Sequence, residues 1–262
     1  MTPRDWDARS YDRVSDPMTG WGRGILDRLS LQGDERVLDA GCGTGRVTEA
    51  LLARLPEGQV VAVDASPSML AEARTRLGDD RVEYLLADLA QPLPLDAPVD
   101  AVFSSATFHW VRNHDALFDN LGEVMRPGGP LVAQCGGAGN IASVLEAVRQ
   151  VGFDGPDPFH FAGAEETRRR LESAGFVDVH TWLHEEPTAL EPGEPLEEFL
   201  ATVALGSHLQ HLPPYERPGF VREVAQRLPR PEIDYVRLNI VARRPAEGPG
   251  TAPLKSNRSV PV

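Results

Sequence analysis

Residues 37–45 read Val-Leu-Asp-Ala-Gly-Cys-Gly-Thr-Gly, and this stretch decides the fold. The apolar residues that open it predict a buried strand, and apolar residues at helical spacing after it predict a helix. Between them, Gly41, Gly43 and Gly45 let the backbone approach a ligand where any side chain would collide. Amides at the start of the helix can then hold an anionic group such as a carboxylate. The stretch therefore predicts a strand, a ligand-binding turn and a helix in succession.

Short apolar runs continue to alternate with helical patterns along the chain. The predicted strands are 36–39, 59–64, 82–86, 99–103, 130–135, 177–184 and 235–242. Because such alternation favours parallel strands with helices on both faces, the pattern predicts an α/β protein with a Rossmann-like, seven-stranded, mostly parallel sheet. A long segment rich in Pro, Glu and His precedes the last strand and needs structure of its own. We expect two helices there, at 196–208 and 219–228.

The chain is predicted to form one domain over residues 1–244. Residues 1–31 are expected to form a helical cover. Residues 185–232, inserted before the last strand, are expected to act as a lid. Residues 245–262 are rich in Pro, Gly and Ser and are predicted to be a disordered tail.

Composition limits the partners that the protein is expected to bind. The 39 acidic and 26 basic residues give a net charge of −13, which would repel a nucleic acid. The sequence contains neither a transmembrane-length apolar run nor a secretory signal, so we expect a cytoplasmic protein without a membrane partner. Cys42 and Cys135 have no metal-site spacing, and no metal is expected.

Carboxylates at strand ends narrow the choice of ligand. The dinucleotide fingerprint counted from Gly41 needs glycine at position 46, where this chain has Arg46, so NAD is disfavoured. Asp64 closes the second strand, where it can accept hydrogen bonds from both ribose hydroxyls of a nucleoside. Asp88 follows the third strand and can accept from an adenine amine, while Met69 can pack on the adenine face.

These motifs resemble those of one enzyme family. The chain resembles the class I S-adenosylmethionine-dependent methyltransferases in three motifs: Asp-Ala-Gly-Cys-Gly-Thr-Gly at 39–45, Val-Asp-Ala-Ser-Pro-Ser-Met-Leu at 63–70 and the Asp88 turn. The resemblance implies S-adenosylmethionine as cofactor and S-adenosylhomocysteine as product. Carried over to this chain, it implies a cofactor site formed by Asp39, Gly41, Cys42, Gly43, Gly45, Asp64, Ala65, Met69, Asp88, Leu89 and Ser104.

A finer resemblance points to one branch of that family. Ser-Ser-Ala-Thr-Phe-His-Trp at 104–110, Arg-Pro-Gly-Gly at 126–129 and Leu-Asn-Ile-Val-Ala-Arg-Arg at 238–244 are similar to trans-aconitate methyltransferases. The resemblance says little about residues 136–232, where the acceptor would be chosen. It implies a small-molecule acceptor, with O-methylation of a carboxylate or a hydroxyl expected.

The acceptor pocket is expected to follow the fourth strand, because ligands in open α/β sheets bind beyond the carboxyl ends of the strands. His109 is either a general base or, with Trp110, part of the pocket wall. Tyr11 and Trp21 are expected to fold over the pocket from the N-terminal segment.

Other possibilities stay open at the level of sequence. A carboxylate acceptor needs a positive or hydrogen-bonding cradle, for which Arg217 and Arg222 in the lid are candidates. The acceptor atom can instead be nitrogen or carbon of a secondary metabolite. A protein that binds the cofactor without methyl transfer, as a scaffold or rearrangement catalyst, is the alternative from another class. Either a monomer or a homodimer is expected.

Overall fold

The computed structural model describes residues 6–8, 12–13 and 16–246, and within them the chain forms a seven-stranded sheet. Its strands are β1 (Arg36–Ala40), β2 (Gln59–Asp64), β3 (Val82–Leu86), β4 (Ala101–Ser105), β5 (Pro130–Gly136), β6 (Val177–Glu185) and β7 (Val236–Arg243). The order is β3-β2-β1-β4-β5-β7-β6. Strands β1 to β5 pair in parallel, and β7 runs antiparallel to β5 and β6. The predicted seven-stranded, mostly parallel sheet is confirmed.

Helices cover both faces of this sheet. They are α1 (Asp16–Leu26), α2 (Arg46–Leu52), α3 (Pro67–Leu77), α4 (His114–Val124), α5 (Ala142–Gln150), α6 (Ala164–Ser173), α7 (Glu194–Phe199), α8 (Gly206–Leu209) and α9 (Arg217–Arg227). A 3-10 turn, Phe108–Trp110, follows β4. None of the described helices is both long and apolar enough to cross a membrane.

The core follows from side chains that alternate between the two faces of each strand. Leu38 and Val61 are buried against α4 on one face, whereas Val37 and Phe103 are buried against α1 and α2 on the other. Burial on both faces explains why these strands read as nearly continuous apolar runs in the sequence.

The order of strands reverses at β1, which has β2 on one side and β4 on the other. A crevice opens at such a reversal, beyond the carboxyl ends of the strands. The backbone amides of Gly41 and Cys42 donate to the carbonyl oxygen of Val63, at 2.8 and 2.9 Å. The turn after β1 is thereby tied to the end of β2, and the glycines are held at the crevice.

The segment between β6 and β7 is helical and packs on α5. It contains α7, a π-helical stretch at Leu200–Ala204, α8 and α9. Helix α9 agrees with the helix expected at 219–228, whereas the helix expected at 196–208 is divided into α7, the π-helical stretch and α8. The π geometry is visible in the hydrogen bond from the Leu205 amide to the Leu200 carbonyl, at 2.7 Å. Leu196, Phe199, Leu200, Val224, Val144 and Val148 belong to one buried cluster that joins the segment to α5. Its action as a lid stays a prediction.

The N-terminal cover and the tail are described only in part. Helix α1 lies within the predicted cover, and its Ile25 and Leu26 are fully buried. Of the expected tail, residues 247–262 lie outside the described part of the chain.

Phe103 tests the packing that positions the crevice. Its side chain is fully buried between the sheet and α1, so Phe103→Ala is expected to lower the free energy of unfolding by about 3–5 kcal/mol. The measurement is urea denaturation followed by circular dichroism. Leu86→Ala is the control, because that side chain is 57% exposed at the end of β3 and its loss should change stability by less than about 0.5 kcal/mol. Equal effects of the two substitutions would contradict the assignment of the core.

Candidate cofactor and acceptor site

One cavity of about 690 Å³ opens at the carboxyl ends of the parallel strands. The predicted site residues that line it are Gly41, Gly43, Asp64, Ala65, Asp88, Leu89, His109 and Trp110. They come from the ends of β1, β2 and β3 and from the 3-10 turn after β4. The structure therefore brings together residues that are far apart in the sequence and that were predicted separately.

The glycine turn at the mouth of the cavity has left-handed backbone angles, with φ values of 90° at Gly41, 55° at Gly43 and 82° at Gly45. A side chain at position 41 would collide with Thr107, whereas the space beside Gly43 is open. The amides of Gly41, Gly43 and Gly45 all donate within the protein, to Val63, Asp64 and Cys42. The turn thus contributes room for a ligand, and the amides of its own glycines are already used.

Asp64 is held at the edge of the cavity by two backbone amides. One carboxylate oxygen accepts from the Gly43 amide and the other from the Ser66 amide, each at 2.9 Å. Each oxygen of a carboxylate can accept more than one hydrogen bond, so both can still accept from ribose hydroxyls. Asp88 is held in a similar way, since its Oδ1 accepts from the Ala90 amide at 2.9 Å. The room beside Gly43 and these two oriented carboxylates fit an adenosyl cofactor with an amino-acid tail.

Other residues of the predicted cofactor site and pocket lie outside the lining of this cavity. They are Asp39, Cys42, Gly45, Met69, Ser104 and Trp21. Met69 is buried against the core, and the Ser104 hydroxyl donates to the Ala40 carbonyl at 2.6 Å, which ties β4 to β1. Trp21 packs one layer behind the wall, with its ring centroid 4.9 Å from that of Tyr235, which does line the cavity. Tyr11 lies outside the described residues.

Asp39 is a buried carboxyl group beneath the glycine turn. It is 2% exposed, and its Oδ2 accepts a hydrogen bond of 2.7 Å from the Thr48 hydroxyl. The pKa of Asp39 is raised to about 7, chiefly by burial. The hydrogen bond from Thr48 lowers this pKa, and the nearby charge of Asp64 raises it. Its position indicates that it braces the turn from below.

This pKa gives a testable dependence of stability on pH. In the unfolded chain Asp39 ionises near its ordinary pKa, so the folded state binds the proton more tightly than the unfolded state. The resulting stabilisation is complete below about pH 4 and is lost as the pH rises to about 7, with a slope of up to about 1.4 kcal/mol per pH unit. Asp39→Asn should remove this slope.

Urea denaturation of the wild type and of Asp39→Asn, measured at several pH values between 4 and 8, checks this expectation. The difference between their free energies of unfolding should change between about pH 4 and about pH 7 and become constant above about pH 7. Asp34→Asn is the control, because Asp34 is exposed in the turn before β1. A pH-independent difference for Asp39→Asn would refute the raised pKa.

His109 is buried in the wall of the cavity and is 8% exposed. Its Nδ1 accepts a hydrogen bond of 3.3 Å from the Gly136 amide, so in the neutral ring the proton is carried by Nε2. Burial holds the pKa of His109 well below its ordinary value, and the positive charge of Arg237 and the neighbouring His114 add to this effect. At neutral pH His109 is therefore an uncharged ring that can donate from Nε2.

Aromatic rings surround His109 in the wall of the cavity. The ring of Phe161 stacks on His109 with centroids 5.7 Å apart, and Phe159 lies 4.8 Å from Trp110. Trp6, from the N-terminal segment, meets Trp110 edge-on at 5.1 Å. All five residues line the cavity. The cavity wall around His109 is therefore shaped mainly by rigid, apolar rings.

The cationic residues of the cavity differ from those that the sequence suggested. Arg112 and Arg237 line it, whereas Arg217 and Arg222 do not. Arg217 instead donates from Nε to the Leu212 carbonyl at 3.1 Å, within the turn before α9. The expectation of a cradle formed by these two arginines of the insertion is therefore wrong. One signal could have revealed Arg237, since it is the one charged residue of the predicted final strand, 235–242.

The described residues contain no group of three His, Cys, Asp or Glu side chains placed to hold a metal ion. Cys42 and Cys135 are both buried free thiols. Burial raises the pKa of Cys135 to about 12, so this thiol stays protonated at neutral pH.

Comparison with known proteins agrees with this geometry. Residues 37–129 match the family model of a methyltransferase domain. The chain is 31% identical over 232 residues to a trans-aconitate 2-methyltransferase of Methylobacterium radiotolerans, covering 83% of this chain and 86% of the relative. It is 30% identical over 268 residues to the trans-aconitate 2-methyltransferase of Paracidovorax citrulli, covering 92% of this chain and 99% of the relative.

Among solved structures, the fold is similar to phosphoethanolamine N-methyltransferase 2 of Haemonchus contortus, determined with phosphomonomethylethanolamine and S-adenosylhomocysteine. The TM-score is 0.63 at 21% identity, over 92% of this chain and 57% of that enzyme. At this identity the likeness concerns the fold alone.

The chain belongs to the class I S-adenosylmethionine-dependent methyltransferases. Within that class its sequence is similar to the trans-aconitate 2-methyltransferases. It is an enzyme that uses S-adenosylmethionine as its methyl donor and gives S-adenosylhomocysteine as the second product.

Proposed function

We propose that this enzyme transfers the methyl group to a carboxylate oxygen of a small organic acid. The observation that carries the proposal is that a cofactor cradle and a buried arginine, Arg237, line one cavity. The relatives named trans-aconitate 2-methyltransferase support the same class of acceptor. Transfer to one particular acid, and to one of its carboxylates, is the finer form of this proposal.

In the cofactor half we propose that Gly41 and Gly43 provide room for the amino-acid tail, while Asp64 accepts hydrogen bonds from the ribose hydroxyls. Ala65 and Leu89 would flank the adenine, and Asp88 would accept from its exocyclic amine. Asp39, Cys42, Gly45, Met69 and Ser104 would act from behind by holding the strands and the turn in place. This role is consistent with their burial and with the hydrogen bonds from Thr48 to Asp39 and from Ser104 to Ala40.

The cofactor supplies a methyl group that is already activated by a sulfonium. A carboxylate acceptor is ionised at neutral pH, so the protein does not have to remove a proton from it. The work left to the chain is to align the acceptor and to exclude water from the cavity. The aromatic wall and the helices before β7 are suited to the second task. His109, as a neutral N–H donor, is suited to orienting the acceptor.

Product analysis tests the proposed reaction directly. Purified protein is incubated with S-adenosylmethionine and a panel of small carboxylic acids, beginning with trans-aconitate, and the products are separated and weighed by mass spectrometry. We expect an acid that gains one methyl group and becomes labile to mild base, as an ester does. Methylation of phenols or amines in preference to every acid would refute the proposal.

Asp64→Ala tests the cofactor half. The substitution removes a charged acceptor from two ribose hydroxyls, and we expect it to weaken S-adenosylhomocysteine binding by about 2 kcal/mol, or about 30-fold in Kd. Calorimetric titration measures the affinity, and thermal unfolding checks that the turn is intact. Asp79→Ala, in an exposed acid beyond α3, is the matched control and should bind like the wild type. An unchanged Kd for Asp64→Ala would remove the ribose assignment.

The pH dependence of the reaction tests His109. Because its pKa lies well below the ordinary value, kcat/KM should show no titration of this residue between pH 6 and 9. His109→Phe keeps an aromatic ring but loses the donor, and kcat/KM should fall by up to about tenfold without a change in the shape of the profile.

His109→Gln offers an N–H donor again and should recover part of the loss. A rate that falls below about pH 6.5 in the wild type but not in His109→Phe would instead identify His109 as a general base.

A further inference from the structure

We infer that Arg237 binds a carboxylate of the acceptor that is not methylated, so that the enzyme selects acids with two or more carboxylates. The inference rests on the proposed function, because it takes the acceptor to be a small acid. The inference gives the two residues different roles: Arg237 anchors one carboxylate, and the neutral His109 orients the carboxylate that reacts.

Arg237 is held in a defined orientation inside the cavity wall. It lies on β7 and is 2% exposed. Its Nε donates to Oε1 of Gln134 at 3.4 Å, and its guanidinium carbon lies 4.6 Å from the centroid of the Trp21 ring. Gln134 is itself fixed by a hydrogen bond of 2.9 Å to Asn239. An oriented, planar guanidinium matches the two oxygens of a carboxylate better than a flexible ammonium would.

Arg237 and His109 meet at Gly136, the last residue of β5. The Gly136 amide donates to Nδ1 of His109, and Gly136 is paired directly with Arg237 across the β5–β7 ladder. The charge of Arg237 is also one of the causes that hold the pKa of His109 low, which agrees with this proximity. The cavity thus presents one cation and one neutral donor side by side.

The surroundings make this cation effective toward a small anion. Met18, Ile141, Phe161 and Tyr235 also line the cavity, and electrostatic attraction is stronger beside such apolar groups than in water. Arg112, the other arginine among the described lining residues, is exposed and donates to the Phe159 carbonyl at 3.0 Å. In a chain with a net charge of −13, a buried cation provides the local attraction that an acidic substrate needs.

The chemistry of methyl transfer assigns the two carboxylates to different residues. A guanidinium that engages both oxygens of a carboxylate withdraws their electron density and occupies their lone pairs, which makes them poor nucleophiles. A neutral N–H donor orients a carboxylate and leaves its charge in place. The carboxylate at Arg237 is therefore the anchor, and the one beside His109 is the nucleophile. Its oxygen would form the new bond to the methyl carbon as the bond from that carbon to the sulfonium sulfur breaks, and the electron pair of the broken bond would stay on the sulfur of S-adenosylhomocysteine.

A binding cycle with matched ligands isolates this interaction. Fumarate and crotonate share one carboxylate on a trans double bond, and the second carboxylate of fumarate is replaced by a methyl group in crotonate. Affinities for both are measured by calorimetry on protein saturated with S-adenosylhomocysteine, for the wild type and for Arg237→Gln. Any general damage from the substitution affects both ligands, so the change in their ratio reports on the contact with the second carboxylate.

We expect the wild type to bind fumarate about 10- to 100-fold more tightly than crotonate. In Arg237→Gln the preference should fall to about twofold or less, and Arg237→Lys, which keeps a charge but not the planar fork, should lie between the two. Arg243→Gln, on the same strand and the same face but at its far end, should keep the wild-type preference. Binding of S-adenosylhomocysteine should be unchanged in all three variants, which shows that they are folded.

The inference is overturned if Arg237→Gln keeps the wild-type preference, or if the wild type does not prefer fumarate. Should Arg237→Gln not fold, the same comparison made with Arg237→Lys decides. Failure of the proposed function looks different, since no acid would then become methylated in the product analysis while S-adenosylhomocysteine still binds. An acid that is methylated equally well by the wild type and Arg237→Gln overturns the role of Arg237 alone.

Discussion

The structure depends on the junction between the ends of β1 and β2. The Gly41 and Cys42 amides donate to the Val63 carbonyl, and the Gly43 amide donates to Asp64. These hydrogen bonds hold a turn with left-handed backbone angles at the point where the strand order reverses. Because the crevice opens at that reversal, the same bonds that close the turn also orient the Asp64 carboxylate at the edge of the cavity. The hydrogen bonds that hold the ends of β1 and β2 together therefore also shape the cavity.

Burial then sets the charge of two titratable groups around the cavity, Asp39 and His109. Asp39 beneath the turn and His109 in the wall have pKa values displaced toward their neutral forms, whereas an arginine stays protonated even when buried. The cavity thus carries a permanent cation, Arg237, beside a neutral donor. An acceptor that is already ionised can be oriented by this arrangement without a general base, which is the physical link between the wall and the proposed reaction.

Local sequence patterns were sufficient to place part of the predicted cofactor site at the cavity. The positions of Gly41, Gly43, Asp64 and Asp88 at the cavity could be predicted because each lies at or just after the end of a predicted strand, and parallel strands end at the same edge of a sheet. The acceptor half was not predictable in this way. Arg217 and Arg222 of the insertion were candidates for a cationic cradle, but they lie outside the cavity lining, and the buried arginine that lines the cavity, Arg237, comes from the last strand.

By itself, the sequence determined the α/β class, the glycine turn and the family, because these depend on short-range periodicity and on residues whose backbone angles or charges allow few alternatives. Only the tertiary structure decided that Asp39 and Met69 lie outside the cavity lining, that the Nδ1 atom of His109 accepts from Gly136, and that Arg237 lies over Trp21. The last two of these outcomes depend on the antiparallel pairing of β7 with β5, a contact between residues about a hundred positions apart. No local pattern records such a contact, because its free energy comes from packing of the whole sheet.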